Sequence, residues 1–124
     1  SFTAACIANA LLEQATPVLM TNFSKILNQM GTMYTEERYQ YIASFSHYPL
    51  LIIDDLGTEL NNSFTSSQLF YCINERMNMN RSTIISTNLS LTQLRDSYTD
   101  RVTSRIMRYR IIPLYGTDIR LLKR

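Results

Sequence analysis

At 124 residues the chain is long enough for one modest core and too short for two domains. Hydrophobic residues make up 45% and charged residues 18%, which excludes a disordered chain, and a formal charge of +2 is too small to indicate nucleic acid by charge alone. No stretch approaches the roughly 18 apolar residues of a membrane span, and the opening SFTAACIANALLEQA has no basic leader region, so the expected setting is cytoplasmic.

Taken in chain order, residues 2–15 are alanine-rich. Phe2, Cys6, Ile7, Ala10 and Leu11 recur at helical spacing, and Pro17 closes the helix. PVLMTN, ending at Asn22, is short, apolar and β-like; FSKILNQM reads as one or two helical turns. TEERYQYIASF reads as a helix with Thr35 as N-cap and two glutamates in its first turn. LLIIDD, from Leu50, is a buried strand. TSSQLFYCINERMNM is a helix with a capping box of Thr65 and Gln68. STIISTN is a second buried strand, SLTQL opens a helix with a capping box of Ser90 and Gln93, DRVTSRIMRY is helical, and RIIPLYG is a final strand. Cys6 and Cys72 lie in apolar surroundings and are expected to be buried thiols of a reducing compartment.

Strands without polar alternation, separated by helices, predict an α/β fold: a parallel sheet with helices on both faces. Right-handed crossovers then bring all strand C-terminal ends to one edge, where ligands bind. Asp54, Asp55, Thr87 and Asn88 all fall at such ends. Adjacent carboxylates repel unless a cation or open water is near. A hard ion such as Mg²⁺ stabilises one of them, bound through one or two carboxylates plus phosphate oxygens, while the other orients a water for attack on a phosphoryl group. The plain alternative is an acidic turn after a strand, and for Asn88 a turn or cap residue. On a helix, Arg101, Arg105 and Arg108 form one basic stripe beside an apolar stripe of Val102, Ile106 and Tyr109. That stripe is either a solvated face or a source of arginines for phosphate. Tyr34, Tyr39, Tyr41 and Tyr48, with Lys25 and Arg38, either pack half-buried or stack bases of single-stranded DNA. His47 has no second His or Cys nearby to share a metal.

The ordered set LLIIDDLGTE, STIISTN, DRVTSRI and LYGTDIR resembles the DnaC/IstB-type AAA+ ATPases, the helicase loaders and ATPase partners of some transposases. The resemblance covers nearly the whole chain. It implies a single P-loop NTPase core over residues 1–124 and Mg-ATP bound between subunits of a homo-oligomer. In that frame LLIIDD is the Walker B strand. Asp54 would help to hold Mg²⁺, Asp55 would be the catalytic carboxylate, Asn88 sensor 1, and Arg105, with Arg101 beside it, the arginine finger. Asp55 stands where many AAA+ relatives carry Glu, a departure this subfamily shares. The implied partners are a replicative hexameric helicase, engaged through an N-terminal extension, and single-stranded DNA.

One part of the pattern does not match. The three glycines, Gly31, Gly57 and Gly116, provide no G-x-x-x-x-G-K-[ST] cradle. SFTAACIANALL resembles the helix that follows the P-loop, which would make Ser1 the hydroxyl that ligates Mg²⁺. The chain then reads as a partial core without the Gly-rich loop, its Lys and its strand. That implies poor or no ATP binding by this polypeptide, unpaired strand edges in the sheet, and, as the alternative, a non-catalytic fragment that only packs or oligomerises. A response-regulator receiver, the rival parallel α/β reading, needs its Asp pair near the start and a Lys after a late strand, whereas Lys occurs here only at 25 and 123.

Overall fold

The computed structural model describes residues 2–14, 17–57 and 62–112. The elements are α1 (Phe2–Glu13), β1 (Val18–Asn22), α2 (Phe23–Met30), α3 (Thr35–Ser44), a 3₁₀ turn (Phe45–His47), β2 (Leu50–Leu56), α4 (Ser63–Asn78), β3 (Ser82–Thr87), α5 (Leu91–Ser97) and α6 (Asp100–Ile106). The three strands are parallel in the order β1-β2-β3, with β2 in the centre. Their starts are aligned, Val18 opposite Leu50 and Leu50 opposite Ser82. The three strand ends therefore come out together, as the alternation of strands and helices predicts.

The side-chain period of two divides each strand between two cores. Leu51, Ile53 and Leu56 point into the larger one, with Phe23, Ile26, Leu69, Ile73 and Val102. Leu50 and Ile52 point into a smaller one against Ala4 and Ala8 of α1. β2 is thus apolar on both sides, which explains why LLII shows no alternation. The helices are unequally shared: among the described residues α1 alone covers the second face.

Several local expectations need correction. The buried side of α1 is Ala4 and Ala8, with Leu11 packed beside them, while Phe2 and Ile7 are 39% and 37% exposed. Small side chains let a helix lie close to a sheet, so the alanines and not the bulkier residues face it. Cys6 is exposed; only Cys72 is buried. There, burial pushes the thiol up to about 12. Thr35 is the first residue of α3, after Tyr34. α4 begins at Ser63, two residues before the anticipated start. Its cap is Asn62, whose Oδ1 accepts from the Thr65 N–H at 2.9 Å. The Thr65–Gln68 box is therefore not the cap. The Ser90–Gln93 capping box forms as read, with both reciprocal hydrogen bonds at 2.8 and 3.2 Å. Arg110–Ile112, the start of the expected last strand, are irregular, and the rest of RIIPLYG lies outside the described residues. No helix among the described residues is long and apolar enough to cross a membrane.

Candidate active site at the strand ends

The paired aspartates sit on a β-bulge. Ile53 pairs with Ile85, but the next pair is Leu56 with Thr87. Two residues of β2, Asp54 and Asp55, therefore stand opposite one of β3, Ser86. In a regular strand neighbouring side chains point to opposite faces; a bulge re-aims one of them. Asp55 takes the left-handed conformation, φ 53°, which Asp tolerates better than most residues. Gly57 follows at φ 108°, and a Cβ there would stand 2.7 Å from Leu89 Cδ1, so only glycine fits without a shift.

Hydroxyls of β3 replace the ladder bonds that the bulge displaces. Ser86 Oγ donates to Asp54 Oδ1 and accepts from the Asp55 N–H at 2.9 Å. Thr87 Oγ1 donates to the Leu56 carbonyl at 2.6 Å and accepts from the Leu89 N–H at 3.1 Å. Burial lifts the Asp54 carboxyl, whereas hydrogen bonds from Ser86 and from the Asp55 backbone lower it. Asp54 is half-buried, and Asp55 and Asn88 are exposed. Asn88 directly follows β3, so the structure brings it to the same sheet edge as the aspartates.

The arginines assemble on α4. Arg101 and Arg105 both stack on Phe70, with guanidinium carbons 3.9 and 4.5 Å from the ring centroid. Arg105 Nε donates to Asn74 Oδ1 at 3.0 Å. α6 ends at Ile106, so Arg108 lies in the following turn and the stripe is reduced to two arginines. Val102 and Ile106 are buried as anticipated. Ser1 lies outside the described residues.

Of the four tyrosines, Tyr39 lines a cleft of about 200 Å³ between α3 and α4, with Arg38, Phe64, Gln68 and Tyr71. Tyr39 and Tyr71 meet edge to face at 5.2 Å, and Arg38 lies 5.4 Å from the Phe64 ring centre. Tyr41 instead packs on Phe45.

Among the described residues no group of three His, Cys, Asp or Glu side chains is placed to hold a metal. What the strand ends provide is two hard oxygen donors. That set fits Mg²⁺, which takes its remaining ligands from phosphate and water, and not a metal caged by protein alone.

The model of the IstB-like ATP binding protein family matches residues 1–114. The chain belongs to that family. No curated protein matches it. The match to the IstB-like family takes in all three strands and all six described α-helices. Within this IstB-like chain, Ser86, Phe70 and Asn74 are functional candidates that the sequence reading passed over. The signal for Ser86 was present: STIISTN puts a polar residue opposite the Asp pair. Phe70 and Asn74 carry none, because their role depends on how α6 crosses α4.

Proposed function

We propose that the chain is the core of a Mg-ATP-hydrolysing switch that works on DNA, with nucleotide bound between subunits of a homo-oligomer. The observation that carries this is the bulge, which presents two adjacent carboxylates beside Asn88 at the strand ends. Membership of the IstB-like ATP-binding family supports the nucleotide half of the reading.

In this reading Asp54, oriented by its hydrogen bonds, is the carboxylate that holds Mg²⁺ beside the Ser1 hydroxyl. When bound, the ion neutralises phosphate charge. Asp55, exposed and free of the strand's regular alternation, orients the attacking water and accepts its proton. Asn88 contacts the terminal phosphate or that water. Arg105, with Arg101, reaches the nucleotide of the neighbouring subunit. Phe70 and Asn74 hold the Arg105 guanidinium on α4, and a phosphate would be met by the N–H groups that these contacts do not use. The products are ADP and phosphate.

The work coupled to this switch is the loading of a replicative hexameric helicase onto single-stranded DNA, in the cytoplasm. The α3–α4 cleft supports the DNA half: its rings and Arg38 suit an unstacked base. The same chemistry serves a transposition-accessory ATPase, and the IstB-like family match favours keeping that second reading.

Mixing two inactive variants of the intact protein tests the shared site. Asp55→Asn and Arg105→Ala should each abolish Mg²⁺-dependent phosphate release, and an equimolar mixture should recover part of it. Recovery requires one subunit to supply the carboxylate and another the arginine. A mixture as inactive as its components, from variants shown to co-assemble, would overturn the inter-subunit site.

A further inference from the structure

Between Ile53 and Leu56 the strand pairing skips, so the Asp55 N–H has left the regular ladder and needs another acceptor. The side chain before it is a carboxylate that needs a donor. The group opposite does both at once. Few side chains can: a carboxylate only accepts, and Lys and Arg only donate. A hydroxyl does both with one oxygen. Ser86 Oγ donates to Asp54 Oδ1 and accepts from Asp55 N–H at 2.9 Å.

We infer that Ser86 is a positioning residue that sets both carboxylates, one by its side chain and one by its backbone. Its bond to Asp54 Oδ1 fixes the rotation of that carboxylate. Its bond from Asp55 N–H holds the left-handed backbone, φ 53°, that aims the second carboxylate. Thr87 adds a parallel constraint one residue on, through the Leu56 carbonyl at 2.6 Å. β3 also carries Asn88 at its end, so movement of this strand end is transmitted to both aspartates through one oxygen. The inference rests on the reading of Asp54 and Asp55 as the Mg²⁺ and water carboxylates; the contact geometry itself does not.

The test uses Ser86→Ala and Ser86→Thr in the intact protein. Alanine removes donor and acceptor together; threonine keeps both. Without nucleotide, amide hydrogen exchange at Asp55 should rise roughly tenfold in Ser86→Ala, with the amides of Leu51–Ile53 unchanged, and return towards wild type in Ser86→Thr. In Mg²⁺-dependent hydrolysis, Ser86→Ala should raise the half-saturating Mg²⁺ concentration about tenfold, as loss of a group that orients a ligand does, and Ser86→Thr should restore it. A merely structural role would lower the active fraction and leave that midpoint in place. Unchanged Asp55 exchange, or an unchanged Mg²⁺ midpoint in a hydrolysing protein, overturns the inference. If the wild-type protein does not hydrolyse ATP, the proposed function fails, and the exchange result still decides whether Ser86 holds the Asp55 backbone.

Discussion

The two ends of the same three-stranded sheet carry charged clusters built on opposite principles. At the strand N-terminal end, Arg76 of α4 is completely buried. Its guanidinium donates to Thr83 Oγ1 at 2.8 Å, to the Ser82 carbonyl at 2.6 Å and to the Phe45 carbonyl. Arg81 adds a bond to the Ser46 carbonyl at 2.9 Å. Every one of these partners is a neutral oxygen of the fold, so the cluster ties the 3₁₀ turn to β3 and offers nothing to a ligand. At the C-terminal end, Asp54 and Asp55 are half-buried and exposed, on a bulge, with a left-handed residue within the strand. Among the described residues the other left-handed non-glycine residue, Asn80, follows the end of α4, a common place for Asn. Burial with full satisfaction marks the structural charge; the exposed carboxylates on a left-handed backbone are where the proposed chemistry is placed.

The largest expected effect breaks the structural end. Arg76→Ala should leave the Phe45 and Ser82 carbonyls and the Thr83 hydroxyl without their donor and open a cavity where the side chain is buried, lowering stability by about 3 kcal/mol, read as a fall in the urea midpoint. A loss below about 0.5 kcal/mol would mean that the cluster is solvated and that the contrast fails.

Gly57→Ala probes the other end. Positive φ and the close approach of Leu89 should together cost about 1–2 kcal/mol. The loss should be accompanied by a weaker response to Mg-ATP, because Gly57 directly follows the bulge. A stable variant with wild-type turnover would show that the turn does not position the carboxylates.

The smallest effect is chemical. Cys6 is exposed, whereas burial pushes the Cys72 thiol, one turn from Arg76, up to about 12. At pH 8 a thiol reagent should label Cys6 quickly and Cys72 only after unfolding. Arg76→Ala should speed the labelling of Cys72 and leave Cys6 unchanged. Equal rates at both cysteines in the wild-type protein would contradict the buried cluster.

Much of the fold was legible because β2 is apolar on both faces and both strands are flanked by helices, although β3, expected to be buried, is half-buried and gives one Ile to each core. The Asp pair and Asn88 were legible as strand-end residues. The bulge was not, since a one-residue slip in pairing leaves no trace in LLIIDD. Arg76 left a faint one: it continues the buried spacing of Leu69, Cys72 and Ile73 on α4, where a charge is out of place unless the fold satisfies it. The α1 face was misjudged because hydrophobicity favours Phe2 and Ile7, whereas close approach to a sheet favours Ala4 and Ala8. Thr65 was mistaken for a cap because Asn62 and Thr65 both suit the position, and only backbone conformation decides between them.

The most direct test of the central claim, that the strand C-terminal end is the chemical end, is ATP hydrolysis by Asp55→Asn in the intact protein. Asn accepts the left-handed backbone as readily as Asp, so the fold should be undisturbed. The account predicts unchanged thermal stability, retained ATP binding and a fall in turnover of about 10²–10⁴-fold. Wild-type turnover in a folded, ATP-binding Asp55→Asn protein would contradict it.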